Sequence, residues 1–197
     1  MPVKEQKAEL RKRIWDYMEE HNIAAFPRPV HNRIPNFIGA SEAAKRAAEL
    51  PEWKSAKTIV ANPDSAQRPL RQISIEQAKL LIMASPRLKA GYLALEPPKP
   101  GAAATIAGAF KYGKKLDSRI PKPDLIVTGC VAVDKKFYRI GKGGGWGDRE
   151  ITMIHKKFGK VPVLTTVHDC QLVDKLPVEP HDTKVDIVVT PTRVLRA

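Results

Sequence analysis

The chain has 197 residues, and its 34 Lys and Arg against 21 Asp and Glu give a formal charge of +13. This length suits one α/β domain over residues 1–197, because two independent cores would be a tight fit. The longest apolar run, residues 125–133, is far shorter than the ~20 residues that span a bilayer, which excludes a membrane protein. The positive charge indicates a surface that attracts nucleic acid, a polyphosphate or another polyanion, or a solvated basic surface with no dedicated partner.

The start of the chain and its cysteines predict a cytoplasmic location. The opening residues are charged and lack the apolar stretch of a secretory signal. Cys130 and Cys170 have no CxxC spacing, and we expect both to be buried thiols in a reducing compartment. The histidines show no HExxH or other ligand spacing, so a zinc site is not expected.

Helical and strand patterns alternate along the chain. Apolar residues at helical spacing predict an amphipathic helix over residues 4–21, and a second helix begins with Ser41 as its cap and stops at Pro51. Strands are predicted at 58–61, 125–133, 161–167 and 185–190, an apolar run at 79–84, helices at 69–77 and 148–158, and a weak helical pattern at 105–114. The proline-rich residues 96–101 are predicted to be a surface connection. This order predicts a mostly parallel sheet that is covered by helices.

A glycine-rich turn, RIGKGGGWGDR at residues 139–149, follows the most apolar strand and leads into a helix. Glycine lets backbone N–H groups approach a phosphate closely, and the positive end of the following helix dipole lies at the same place. Arg139 and Lys142 add cations, while Asp148 either caps the helix or binds a magnesium ion. The turn matches neither the Walker pattern nor GxGxxG, and the alternative is a flexible glycine hairpin.

Residues 124–190 resemble the C-terminal half of the 5-formyltetrahydrofolate cyclo-ligase family, also called methenyltetrahydrofolate synthetase. The resemblance is carried by DLIVTGCVAVDKKFYRIGKGGGWGDRE and by VHDCQLVDKLPVEPHDTKVDIVVT. Both the family and this chain have an apolar strand, an Asp, an Arg, a glycine-rich turn that ends in Asp, and an Asp-x-x-x-Asp before the last strand. The family also places a Lys and an Arg four residues apart in the first helix, as Lys7 and Arg11 are here.

This resemblance implies an ATP site with magnesium. Lys7 and Arg11 would contact the phosphates from the first helix, Arg139 and Lys142 would act in catalysis, and Asp148 and Asp182 would hold Mg²⁺. The residues assigned to ATP are Lys7, Arg11, Arg139, Gly141, Lys142, Gly143, Gly144, Gly145 and Trp146. The implied fold is a three-layer α/β/α domain with a mostly parallel central sheet, similar to ribose-phosphate isomerase and the CoA transferases.

The pocket for the second substrate is less well defined by the resemblance. The family usually has two aromatic residues before the aspartate of the turn, and here the pair is Trp146 and Gly147. Trp146 would border the pterin, or it packs in the core. Phe37 and Tyr92 are further candidates for this pocket. Three basic residues in the same loops are either further candidates for this pocket or structural, namely Arg33, Arg87 and Lys89.

The reaction implied is the ATP-dependent cyclisation of 5-formyltetrahydrofolate to 5,10-methenyltetrahydrofolate, with release of ADP and phosphate. Two alternatives stay open. One is a family relative that acts on another pterin or anionic metabolite through the same phosphate site. The other is a non-catalytic RNA-binding protein on the same fold, which the net charge favours but which lacks an RNP-like aromatic motif.

Overall fold

The computed structural model describes residues 1–86, 91–96, 101–116 and 120–197. The α-helices are α1 (Val3–Glu20), α2 (Ala40–Ala48), α3 (Pro51–Ser55), α4 (Arg68–Glu76), α5 (Ile106–Tyr112) and α6 (Trp146–Phe158). The first strands are β1 (Thr58–Ala61), β2 (Leu80–Ala84), β3 (Tyr92–Leu95), β4 (Lys114–Leu116), β5 (Leu125–Thr128) and β6 (Ala132–Asp134). They are followed by β7 (Arg139–Ile140), β8 (Val163–Thr166), β9 (Leu172–Val173), β10 (Ile187–Val189) and β11 (Val194–Arg196).

The main sheet has the order β11-β10-β8-β5-β1-β2-β3-β4 within the described ranges. Its five central strands, from β10 to β2, run parallel, and β1 lies between β5 and β2. Strands β3, β4 and β11 pair antiparallel at the two edges. The mostly parallel sheet predicted from the sequence is therefore confirmed.

Both faces of this sheet are covered, which is why its central strands are apolar throughout. In β1, Ile59 and Ala61 belong to the core that contains the buried residues of α2, α3, α4 and α5. Val60, between them, points the other way and packs in the core that contains Ile151 and Ile154 of α6. The arrangement is a three-layer α/β/α fold, as the sequence predicted.

A second, smaller sheet carries the glycine-rich turn. It has the order β7-β6-β9 among the residues described, and the apolar face of α1 packs on it. Leu10, Ile14, Trp15 and Met18 of that helix are all buried in this cluster. Since β7 leads into the turn, this packing brings the polar residues of α1 next to the turn.

The predicted central strand over residues 125–133 is confirmed at 125–128 and wrong beyond them, because the structure divides the segment between the two sheets. β5 ends at Thr128 and β6 begins at Ala132 in the smaller sheet. At Gly129 a Cβ atom would come within 2.7 Å of both Gln67 Oε1 and Ile34. The chain therefore passes from one sheet to the other at a point where only glycine fits. Continuous hydrophobicity could not reveal this break, since both halves are buried.

Other differences are smaller. The N-cap of α2 is Gly39, with φ at +95°, and not Ser41, which lies inside the helix. The edge strands β3, β4 and β11 were not predicted as strands, and residues 97–100 of the proline-rich connection lie outside the described ranges. No helix in the described part of the chain is both long and apolar enough to cross a membrane.

We predict that Ile126→Ala lowers the free energy of unfolding by about 2–5 kcal/mol, because the side chain is fully buried between the sheet and α6. Urea unfolding followed by circular dichroism measures this change. Met153→Ala, an exposed position on α6, is the control and should change stability by less than about 1 kcal/mol. Equal effects in the two variants would contradict the packing described here.

Candidate functional site

A cavity of about 270 Å³ opens at the carboxyl ends of the central parallel strands. Asn62 follows β1, Ser85 follows β2 and Gly129 follows β5, and all three line the cavity. The glycine-rich turn and the first residues of α6 form the opposite wall. Ligands of open α/β sheets bind at this edge, where neighbouring connections diverge.

The turn between β7 and α6 has the backbone of an anion-binding loop. Gly143 and Gly145 have φ values of +108° and +67°, and Gly145 is the N-cap of α6. The turn is held against α1 by Arg11, whose Nε donates a hydrogen bond of 2.6 Å to the carbonyl oxygen of Gly141. The positive end of the α6 dipole therefore faces the cavity from a fixed position.

Arg139 is the most unusual residue of the site. Its side chain is 1% exposed, and Nη2 lies 3.2 Å from Asp148 Oδ1 without forming a hydrogen bond in good geometry. Nε and Nη2 have no hydrogen-bond partner among the residues that the structure describes, although the residue lines the cavity. Buried guanidinium donors are rarely unpaired, so a ligand oxyanion would complete this group.

Asp148 connects the turn to the C-terminal part of the chain. Its Oδ1 accepts hydrogen bonds from the backbone N–H and the hydroxyl of Thr183, at 3.0 and 2.8 Å. Thr183 follows Asp182, so the segments that carry the two predicted magnesium ligands are in contact. Asp148 is in the first turn of α6, where a negative charge stabilises the helix.

Asp182 pairs with Lys7 of α1. Lys7 Nζ lies 2.6 Å from Asp182 Oδ2 and 2.7 Å from Glu179 Oε2. Burial acts to lower the pKa of Lys7, but the bonds and charges of these two carboxylates outweigh it and raise that pKa. Lys7 is therefore an ammonium ion that fixes the carboxylates, and it does not itself line the cavity.

The carboxylates around Asp182 also have the composition of a metal site. One ligand atom each from Glu179, His181 and Asp182 lies within 4.8 Å of the others. Carboxylate oxygens are what Mg²⁺ prefers, and Asp148 lies beside the same segment. The residues present therefore match the chemistry of the ion that the resemblance implies.

The inner end of the cavity is acidic, which sequence reasoning missed. Asp64 lines it, and burial raises the pKa of this carboxyl against the charges of Lys142, Arg71 and Arg139. Glu150 is 3% exposed, and burial raises its pKa to about 7. The sequence pattern gave Asp64 no role, although it lies three residues after a buried parallel strand, which is the signal that places it at the site.

The remaining predicted residues are not gathered in one place. Trp146 and Lys142 are on the outer rim of the cavity, with Trp146 39% exposed and the Arg149 guanidinium 4.9 Å from its ring centroid. Phe37 is buried in the core beneath α1, beside His168, and does not line the cavity. Tyr92 is buried behind the inner end. Arg33 lines the cavity, and Arg87 and Lys89 lie outside the described residues.

The model of the 5-formyltetrahydrofolate cyclo-ligase family matches residues 3–191. The chain belongs to this family. A methenyltetrahydrofolate synthase domain-containing protein of Mus musculus is 46% identical over 206 residues, covering 96% of this chain and 54% of that protein. The 5-formyltetrahydrofolate cyclo-ligase of Escherichia coli K12 is 43% identical over 84 residues, covering 41% of this chain and 45% of that enzyme. The chain spans about half the length of the curated relatives it matches.

Solved structures of the cyclo-ligase family share the fold. The 5,10-methenyltetrahydrofolate synthetase of Aquifex aeolicus superposes with a TM-score of 0.62 at 24% identity, covering 96% of this chain and 92% of that one. The corresponding protein of Mycoplasma pneumoniae gives a TM-score of 0.58 at 15% identity, with coverage of 93% and 97%. At these identities the likeness establishes the fold alone.

The position where the cyclo-ligase family usually carries an aromatic residue is occupied by the Arg139 guanidinium. A Cβ atom on Gly147 would lie 2.4 Å from Nη2 and 3.0 Å from Cζ of Arg139. Gly147 therefore leaves room for the buried cation.

We predict that Gly147→Ala displaces the Arg139 guanidinium and weakens binding of an ATP analogue at least about tenfold, the loss of roughly one charged hydrogen bond. Isothermal titration calorimetry with magnesium measures the affinity. Gly141→Ala is the matched comparison, because its Cβ atom would lie 3.6 Å from Arg139 Nη1, an ordinary contact. If Gly141→Ala lost as much affinity for the ATP analogue as Gly147→Ala, displacement of the guanidinium would not be the cause of the loss.

Proposed function

We propose that this chain catalyses the ATP-dependent cyclisation of 5-formyltetrahydrofolate to 5,10-methenyltetrahydrofolate. The observation that carries the proposal is the buried Arg139 guanidinium, whose unpaired donors belong to a residue lining the cavity beside a glycine turn and a helix N-terminus. Membership of the cyclo-ligase family supports it. We also infer that residues 1–197 act as one domain in the cytoplasm, where Cys130 and Cys170 stay free thiols.

In this proposal the triphosphate of ATP lies in the glycine turn. The backbone N–H groups of residues 141–145 and the N-terminus of α6 bind phosphate oxygens. Arg139 donates hydrogen bonds to the same oxygens from the wall of the cavity. Arg11 acts indirectly, since its bond to Gly141 holds the turn in place. Lys142, exposed on the rim, is free to move toward the transferred phosphoryl group.

Asp148 and Asp182 would hold Mg²⁺ at the edge of this turn. When bound, the ion supplies positive charge that offsets the negative charge of the phosphates. Thr183 keeps Asp148 oriented through two hydrogen bonds. Lys7 keeps Asp182 oriented by ion pairing and fixes the separation of α1 from the C-terminal segment.

The chemistry requires positioning and charge stabilisation more than proton transfer. The formyl oxygen accepts the γ-phosphoryl group and ADP leaves. The neighbouring nitrogen then attacks the activated carbon and gives up its proton to the departing phosphate, which leaves the methenyl bridge. Arg139 and Lys142 stabilise the charge that moves onto the transferred oxygens, in a site where the buried guanidinium is already oriented. The pterin would enter between the Trp146 rim and the acidic inner end.

Purified protein tests the proposal directly. Product formation is followed by the rise in methenyl-folate absorbance and should require both ATP and magnesium. If ATP bound at the phosphate site but methenyl-folate absorbance did not rise, the assignment of a folate substrate would be contradicted. That outcome would favour a family relative that uses another pterin or anionic metabolite.

We predict that Asp148→Asn lowers turnover at least about 100-fold, because it removes the charge beside Arg139 while leaving an acceptor for Thr183. Steady-state kinetics and a thermal melt separate loss of chemistry from loss of folding. Asp174→Asn is the matched control, since its side chain is 86% exposed and pairs with Lys135 on the surface. Unchanged turnover in Asp148→Asn would count against the assigned site.

A further inference from the structure

Glu150 occupies a buried position at the inner end of the cavity that the reaction described above does not use. It lies one turn into α6 and is 3% exposed, yet it lines the cavity. Its Oε2 accepts a hydrogen bond of 2.5 Å from Asn62 Nδ2. Its Oε1 is buried and has no hydrogen-bond partner within the described ranges.

The orientation of the Asn62 amide is fixed by its other contacts. Asn62 Oδ1 accepts from the Thr128 hydroxyl at 2.8 Å and from the Gly129 N–H at 3.2 Å. Nδ2 is therefore the end that faces Glu150. This network, built on the carboxyl ends of β1 and β5, holds one oxygen of Glu150 and leaves the other available.

The second potential partner of Glu150 is Tyr92. Tyr92 lies next to Ala84 in the sheet register, and Ala84 lines the cavity. A weak side-chain hydrogen bond joins the Tyr92 hydroxyl to the Glu150 carboxyl, but neither the hydroxyl nor Oε1 has a partner in good geometry. Two buried oxygens that are paired this poorly carry a desolvation penalty that a ligand donor would relieve.

The cavity holds both donors and acceptors. Arg139 and Lys142 supply donors from the glycine turn and the strand before it, while Asp64 and Glu150 supply acceptors, and the charge of Arg139 acts on both carboxyls. A ligand that fits this lining carries oxyanions as well as N–H groups. A carbonyl oxygen placed beside Glu150 would face a second acceptor and be disfavoured.

We propose that Glu150 is a specificity-determining residue, whose Oε1 accepts a hydrogen bond from the exocyclic amino group of the heterocycle that enters the cavity. The inference rests on the proposed function for the identity of that heterocycle as the substrate's ring. It concerns binding, so it is tested without turnover.

The test compares two small probes that both keep the ring N3–H. At C2 pterin carries an amino donor where lumazine carries a carbonyl acceptor beside an added N1–H, and titration calorimetry gives the dissociation constant of each. We expect the wild-type protein to bind pterin at least about tenfold more tightly than lumazine, because a site built to bond a donor rejects the analogue that lacks it. No preference, or no binding of either probe, overturns the proposal.

Glu150→Gln is the decisive variant. The glutamine oxygen can still accept from Asn62, while its amide N–H₂ replaces Oε1 and offers a donor to the ligand. We expect the preference to shift toward lumazine at least about tenfold. The control is Glu76→Gln, an exposed carboxylate on α4 that bonds only Gln72 among the described residues and should keep the wild-type preference.

Two further outcomes are distinguishable. A folded Glu150→Gln protein with the wild-type preference would show that Glu150 only supports Asn62, and it would overturn the proposal. If the wild-type protein had no cyclo-ligase turnover, the proposed function would be wrong. The role of Glu150 would still be decided by the preference between the two probes. With turnover present, Glu150→Gln should raise KM for the reduced folate while kcat and KM for ATP stay near wild type.

Discussion

The structure of the site depends on keeping one guanidinium, that of Arg139, charged and almost completely buried. Removing this group from water is costly, and Asp148 at 3.2 Å offsets only part of the penalty. Gly147 provides the space that the group fills, and Asp148 is in turn held by Thr183. Each of these neighbours thus contributes to holding a buried cation at the wall of the cavity.

The sheet topology explains why residues distant in sequence meet around that cation. β1 lies between β2 and β5, so the residues that follow these three strands converge at one edge. The smaller sheet then brings the glycine turn over this edge, with α1 packed on its outer side. The charged lining of the cavity combines Arg139 of β7 and Lys142 of the turn with Asp64 after β1 and Glu150 of α6.

Much of this architecture could be predicted from local patterns. The residues of β1, the helical face of α1 and the turn before α6 follow from β-branched runs, apolar spacing and clustered glycines. The break at Gly129 could not be predicted, because buried strands on either side of it are equally apolar. Glu150 was missed since a carboxylate at a helical position is ordinarily solvated, and only the tertiary fold shows that it faces inward. Phe37 was assigned to the pocket from its residue type, whereas its packing beneath α1 is a long-range property.

The pairing of Lys7 with Glu179 and Asp182 joins positions 172 and 175 residues apart. A ribosome releases the first helix long before those carboxylates exist, so Lys7 has neither partner until residues 179 and 182 have left the ribosome. The wall that links α1 to the Asp182 segment can therefore close only after that point. Contacts of α1 with the C-terminal segment are accordingly formed later than those with the smaller sheet strands that precede it in the chain.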